Sequence, residues 1–232
     1  MQLFYAPDIK TNPELPEEEG KHCTRVLRLK EGDEISITDG KGSFYKAAIT
    51  LANPKHCIVA ITEEWQQPLF RDFSLHIAIA PTKNLDRIEW FAEKATEIGI
   101  DAITCLKCRH SERKELKGVR IEKILVSAMK QSLKATLPQY TGMTDFATFV
   151  KQPFDGQKFI AHCEEGEKTL LKNACAVGEK ALILIGPEGD FSTDEINLAV
   201  SEGFIPISLG ESRLRTETAA LVACHTLHVI NQ

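Results

Sequence analysis

The sequence contains no apolar run long enough to cross a bilayer, and its first ten residues show no basic stretch followed by an apolar one. We therefore expect neither a membrane span nor a signal peptide. No Gly-x-Gly-x-x-Gly follows a predicted strand and no Walker lysine pattern occurs, so neither a dinucleotide fold nor a P-loop is supported. The net charge of −5 argues against a general nucleic-acid coat protein, but a local basic patch is compatible with it.

Metal-ligand patterns are also missing. Cys105 and Cys108 form a lone Cys-x-x-Cys, whereas a structural zinc site usually needs a second such pair. The seven cysteines are Cys23, Cys57, Cys105, Cys108, Cys163, Cys175 and Cys224. Because this set is odd in number and dispersed, we predict reduced thiols, no metal and a cytoplasmic location.

What the sequence does contain falls into two regions. Short predicted strands at 35–38, 44–51 and 58–61, separated by turn residues, favour a small β-barrel. From residue 75, predicted strands alternate with helices, and Gly99 ends the first helix. We therefore predict an α/β chain with a barrel domain at 1–69 and a second domain at 70–232.

Two predicted strands of the second region end in glycine-containing loops. The apolar run 181–185 leads into the turn 186–189, and the run 205–209 leads into Gly210. Ligands of open α/β sheets bind outside the carboxyl ends of strands. The second loop places four charges in seven residues, 211–217, directly before a nearly uncharged helix, and a solvated turn does not need that density of charge.

A basic segment lies within the second region, before the two glycine loops. Residues 107–134 contain nine Lys or Arg and three acids, although the whole chain is acidic. This is the best candidate for a polyanion-binding surface. A solvated basic helix is the alternative interpretation.

The two loop motifs together resemble a known family. Gly186-Pro187-Glu188-Gly189, and Leu214-Arg215-Thr216-Glu217 after Leu209-Gly210, are similar to motifs of the ribosomal small-subunit RNA methyltransferase E family. This resemblance implies a SPOUT domain with a deep trefoil knot, a PUA-like RNA-binding barrel at 1–69 and a homodimer. It further implies that S-adenosylmethionine is the cofactor and that N3 of a uridine in 16S ribosomal RNA of the small subunit is methylated.

The resemblance also implies site residues. The residues expected to bind the cofactor are Ala161, Ile185, Gly186, Glu188, Gly189, Leu209, Gly210, Leu214 and Thr216. We predict Arg215 and Glu217 to be catalytic, with Arg215 stabilising the uracil after it loses its N3 proton. Glu217 or Glu188 is the base or holds Arg215, and both carboxylates could equally be structural.

The residues expected to contact RNA are Arg25, Arg28, Gln131, Lys134 and Arg213. Arginine suits both phosphate and base contacts. The chain departs from the family pattern at Lys130 and Lys134, which stand for glutamate and arginine, and at Asp190, which stands for a second glycine. We expect Asp190 to cost little, because a carboxylate there favours the next helix.

Two other functions stay open from the sequence. One is a SPOUT methyltransferase with another RNA target, such as the ribose 2′-oxygen of transfer RNA. The other is an RNA-binding ribosome-assembly protein without catalysis, which the intact pair of cofactor loops argues against.

Overall fold

The computed structural model describes residues 2–68 and 71–232. The chain forms two compact units. One contains Met1–Leu69 together with Val126–Leu137, and the other contains Phe70–Leu125 and Pro138–Gln232. The predicted division between residues 69 and 70 does not anticipate that Val126–Leu137 groups with the first unit.

A four-stranded sheet forms the centre of the N-terminal unit. Its strands are β1 (Leu3–Tyr5), β2 (Glu34–Thr38), β3 (Ser43–Leu51) and β4 (Ile58–Gln66). They lie in the order β1-β2-β3-β4, with the first pair parallel and the other pairs antiparallel. Alternate apolar residues such as Ile35 and Ile37 enter a buried cluster with Phe4 and Tyr45, as a half-buried sheet requires.

The segment 126–137 is bound to this unit by backbone groups. Gly42 N donates to the carbonyl of Ala135 over 2.9 Å, and the Thr38 hydroxyl donates to the same carbonyl over 3.1 Å. Lys130 Nζ also pairs with Glu19 Oε1 at 2.5 Å, and both side chains are largely buried. Lys130 is therefore a structural ion-pair partner within the N-terminal unit.

A seven-stranded parallel sheet forms the centre of the second unit. Its strands are β5 (Leu75–Ile79), β6 (Ala102–Lys107), β7 (Gln139–Asp145), β8 (Gln157–Ala161), β9 (Thr169–Leu170), β10 (Ala181–Ile185) and β11 (Ile205–Ser208). Their order is β7-β6-β5-β10-β8-β11-β9. All five residues of β10 are buried, which fits a strand covered on both faces.

The described residues form helices in both units. They are α1 (Glu17–Lys21), α2 (Leu85–Ile98), α3 (Gly118–Gln131), α4 (Phe146–Val150), α5 (Leu171–Ala174), α6 (Thr193–Ser201) and α7 (Thr216–Ile230). Ser192 with Glu195 three residues later is the sequence pattern of a capping box, and this capping box is present at the start of α6. Helix α7 packs against α2, β5 and β10. No helix in the described ranges is long and apolar enough to span a membrane.

Several local predictions are wrong. Residues 14–20, read as a loop, include most of α1, which continues into a π-helical turn at His22–Val26. Strands β7 and β9, which were not predicted, lie at the two edges of the sheet. The apolar run from Ala219 predicts a helix start there, but helix α7 begins at Thr216.

Candidate functional site

The carboxyl ends of three neighbouring strands surround one cavity. In the sheet β8 lies between β10 and β11, and the chain segments that leave all three strands meet at the same edge. The cavity measures about 820 Å³, within the range of small-molecule sites. Apart from Arg87, its lining residues come from 161–168, 185–190 and 207–219.

The glycines of the first loop allow tight packing of that loop. A Cβ on Gly186 would lie 3.2 Å from the Phe191 ring, and one on Gly189 would lie 3.1 Å from Cβ of His110. His110 Nδ1 also lies 3.1 Å from the carbonyl oxygen of Gly189. The sequence predicts glycine here for close approach to a ligand, but the structure adds a different reason, because neighbouring side chains occupy the space.

Asp190 connects this loop to the end of β8. Its Oδ2 accepts a hydrogen bond from the backbone N–H of Cys163 at 2.6 Å, and its Oδ1 accepts one from Phe191 N at 2.8 Å. Its φ of +61° lies in the left-handed region, which aspartate tolerates better than most residues. The N-cap of α6 is Ser192, so the expected role of Asp190 at that helix start is replaced by a bridge between two strand ends.

Glu188 attaches the start of α2 to the same loop. Its Oε1 accepts a hydrogen bond from Lys83 N at 2.9 Å. The carbonyl of Lys83 in turn accepts from Arg113 Nη2 at 2.5 Å. One oxygen of Glu188 therefore has a positioning role at the wall of the cavity.

The second loop is open where the first is tightly packed. Gly210 has a φ of +127°, and a Cβ added there would meet no atom within 4 Å. A ligand could therefore approach its backbone closely. The side chains of Arg213 and Arg215 line the cavity from exposed positions, and neither forms an ion pair with any residue that the structure describes.

Glu217 lies in the first turn of α7, where it is buried. Its Oε1 is 3.7 Å from Arg87 Nε, and its Oε2 is buried with no hydrogen-bond partner in the described ranges. Arg87, on the first turn of α2, reaches the cavity, whereas Glu217 is not among the lining residues. Sequence reasoning missed Arg87, because an arginine on an amphipathic helix reads as a solvated charge.

His162 follows β8 directly and has an unusual environment. Both ring nitrogens are buried without a hydrogen-bond partner among the residues described. Burial and the nearby Lys168 ammonium lower the pKa of His162, so the ring is neutral at pH 7. Lys168 Nζ donates to the carbonyls of His162 and Glu164 at 3.1 and 2.5 Å, which holds this loop in place.

The structure gathers most of the predicted site residues. All nine residues predicted to bind the cofactor line the cavity, together with Arg213 and Arg215. The other predicted RNA contacts, Arg25, Arg28, Gln131 and Lys134, all belong to the N-terminal unit. Arg25, Arg28 and Gln131 are exposed, and Arg28 has a φ of +58° that is uncommon outside glycine.

The Cys-x-x-Cys thiols are buried. Burial raises the pKa of Cys105 to about 11 and raises the pKa of Cys108 as well, which keeps both protonated near neutral pH. Across residues 2–68 and 71–232, no group of three or more His, Cys, Asp or Glu side chains is arranged to hold a metal ion.

Two family models match this chain. Residues 71–228 match the family model described as "RNA methyltransferase domain". Residues 15–62 match the one described as "RNA methyltransferase PUA domain". The first match contains the cavity and both glycine loops. The second contains α1, β2, β3 and the first part of β4.

Individual relatives agree with these matches. A probable rRNA-methyltransferase from Porphyromonas gingivalis has a solved structure that is 44% identical, covers 100% of this chain and 98% of its own, and superposes with a TM-score of 0.94. A Legionella pneumophila methyltransferase solved with bound SAM is 27% identical over 100% and 98% of the two chains, with a TM-score of 0.89.

A curated relative extends the comparison. The Mycobacterium bovis protein named Ribosomal RNA small subunit methyltransferase E is 26% identical and covers 98% of this chain and 91% of its own length. With the domain match over residues 71–228 and the cavity at the strand ends, the chain belongs to the RNA methyltransferase family that this domain defines.

Proposed function

We propose that this protein transfers a methyl group from S-adenosylmethionine to N3 of one uridine in the 16S ribosomal RNA of the small subunit. The observation that carries the proposal is the single cavity into which all nine predicted cofactor residues and Arg215 converge. The names of the curated relatives and the SAM-bound Legionella structure support the substrate and the cofactor.

The residues around the cavity fit this cofactor. Its volume of about 820 Å³ suits a small molecule of that size. Backbone groups of the loops 185–189 and 209–214 would recognise an adenine edge, and the open space at Gly210 allows such an approach. The cofactor supplies an electrophilic methyl group on a sulfonium, and the chain has to hold an RNA base in line with it.

Arg215 is the residue that we assign to the chemistry. The N3 proton of uracil must leave before that nitrogen becomes a good nucleophile, and its loss places negative charge on O2 and O4. A guanidinium preorganised at that position stabilises the charge. Arg215 suits this role because it lines the cavity and has no carboxylate partner among the described residues.

Glu217 is catalytic only if its carboxylate acts directly on the uracil. Its role as the acceptor of the N3 proton stays a prediction. Its burial and its contact with Arg87 favour a positioning role. Arg25, Arg28, Gln131, Lys134 and Arg213 would bind the RNA backbone and bases. The domains at 1–69 and 70–232, the knot, the homodimer and the cytoplasmic location belong to the same proposal.

The variant Arg215→Ala tests the assignment. We expect kcat on small ribosomal subunits to fall by about 10²–10³-fold, as for removal of one preorganised oxyanion donor. The matched control is Lys180→Ala, because Lys180 pairs with Asp155 on the surface and is absent from the cavity lining. Near-normal turnover by folded Arg215→Ala would contradict this role for the arginine.

A further inference from the structure

Among the residues that the structure describes, Arg87 is the one lining residue that comes from outside the three strand ends. It extends from the first turn of α2, whereas every other lining residue lies between positions 161 and 219. Its side chain is 35% exposed, and Glu217, whose side chain is 9% exposed, lies beside it at 3.7 Å. A buried carboxylate next to an arginine restricts where the guanidinium can go.

The lining acids of the described ranges are Glu188, Asp190 and Glu211; Glu211 is exposed, and the other two have backbone partners. Asp190 accepts from the backbone of Cys163 and Phe191, and Glu188 accepts from the backbone of Lys83. The guanidinium of Arg87 has five N–H donors, and Glu217, its carboxylate neighbour in the described ranges, is beyond hydrogen-bond distance. The wall of the cavity therefore presents cationic donors with unfilled capacity, an arrangement that recognises an anion.

The burial of Arg87 indicates which kind of anion this side chain would bind. Arg213 and Arg215 are exposed, where an RNA chain can reach them, whereas Arg87 is partly buried. The helix α7 also begins at this side of the cavity: Thr216 and Ala219 are lining residues, and no side chain caps its N-terminus. A helix N-terminus favours negative charge. A recessed cation next to a helix start suits a small carboxylate better than a polymer phosphate.

We infer that Arg87, positioned by Glu217, binds the carboxylate of the methionine part of S-adenosylmethionine. The inference rests on the proposed function, since it assumes that cofactor. It assigns Arg87 as a cofactor-binding residue and Glu217 as a positioning residue that acts through it. Planar, bidentate pairing with a carboxylate is the geometry in which arginine differs most from lysine.

Calorimetry with two ligands tests the inference without any RNA. S-Adenosylmethionine carries the carboxylate, whereas decarboxylated S-adenosylmethionine lacks it and keeps the ammonium and the sulfonium. In the unmodified protein we expect the first ligand to bind about tenfold or more tightly than the second, the scale of a hydrogen bond to a charged group. In Arg87→Gln this ratio should fall to near one, with decarboxylated ligand affinity unchanged within about twofold.

Further variants separate binding from stability. Arg87→Gln leaves Glu217 buried without a cation, which could destabilise the protein. The double variant Arg87→Gln with Glu217→Gln removes both charges. It should fold and should bind the two ligands with an affinity ratio near one. Glu217→Gln alone should reduce the ratio partly, an effect that a purely structural role would not produce. Arg87→Lys should lie in between, and the surface variant Lys180→Gln should keep the full ratio.

Two results would overturn the inference. If the ratio persists in the folded double variant, Arg87 does not bind the carboxylate, and a raised KM for ribosomal subunits would instead assign it to RNA. If affinity for both ligands falls equally, Arg87 acts on the shape of the cavity. Failure of the unmodified protein to bind S-adenosylmethionine at all would reject the proposed function itself, a separate outcome.

Discussion

The Asp190 carboxylate joins the loop after β10 to the end of β8. It accepts hydrogen bonds from two backbone N–H groups while the residue holds a left-handed φ of +61°. The family pattern has glycine at this position, which adopts a positive φ without strain. Aspartate is less suited to that φ but adds two charge-assisted hydrogen bonds. That exchange could not be predicted from sequence, because the partner N–H of Cys163 lies 27 residues away.

Removing this carboxylate has a measurable expected cost. Asp190→Ala should lower the free energy of unfolding by about 1–3 kcal/mol, through the lost hydrogen bonds and the strain of alanine at a positive φ. Asp190→Gly loses the same bonds without that strain and should cost less than alanine. Urea unfolding of both variants measures the difference, and an alanine variant as stable as the unmodified protein would contradict this role.

A second residue-scale effect concerns His76. Its Nε2 lies 2.8 Å from the Thr104 hydroxyl, and burial lowers its pKa from 6.5 to about 4. His76 therefore takes up its proton near pH 6.5 in the unfolded chain but only near pH 4 in the native protein. Protonation favours the unfolded state, so stability is lost as the pH falls from about 6.5 towards 4.

The variant His76→Gln should weaken this pH dependence. Glutamine can keep a hydrogen bond with Thr104 and does not titrate. Comparing urea unfolding at pH 7 and pH 5, we expect the unmodified protein to lose more stability than the variant, although His162 and His228 also have lowered pKa values and leave some slope. An equal loss in both proteins would show that His76 does not contribute.

At the scale of elements, an ion pair joins α1 to the end of α3 and leads to one prediction. Lys130 and Glu19 form a largely buried ion pair inside the N-terminal unit. Lys130→Glu should destabilise this unit by on the order of 3 kcal/mol, because it places two carboxylates together in a desolvated site. The exchange Glu19→Lys with Lys130→Glu should recover much of that loss.

Thermal unfolding of the two single variants and the double variant forms a complete cycle. A double variant no more stable than Lys130→Glu would show that the ion pair does not hold 126–137 in the unit. The pairing also explains the lysine where the family pattern has glutamate. Its partner lies 111 residues earlier, so periodicity alone could not identify it.

Elements with strong local patterns were predictable. Strand β10 is a continuous apolar run, α2 has an apolar face ending at Gly99, and α6 starts at a capping box. The missed strand β7 contains Gly142, has no fully buried residue and lies at a sheet edge, so it shows neither an apolar run nor a clean alternation. The helical spacing of Ile196, Ala199 and Val200 predicts one apolar face on α6, but Val200 is 45% exposed because that short helix buries only a narrow stripe.

At the scale of the whole molecule, both glycine loops line the cavity, but the sequence does not indicate every residue of its lining. Both loops follow strands that are separated in sequence and neighbour β8 in the sheet, and this order is a property of the fold. Arg87 reaches the cavity only because α2 packs against α7. The chain has a net charge of −5, yet folding brings Arg87, Arg213 and Arg215 to one cavity. The net charge of a chain therefore does not give the charge of its site.

The central claim is that this chain methylates N3 of one uridine in 16S ribosomal RNA. Small ribosomal subunits from cells that lack the protein would be incubated with the purified protein and labelled S-adenosylmethionine, and the modified nucleoside would be mapped by mass spectrometry. The account predicts N3-methyluridine at a single site, and its absence with Arg215→Ala. Label found in transfer RNA or at a ribose oxygen, with none in the subunit, would contradict it.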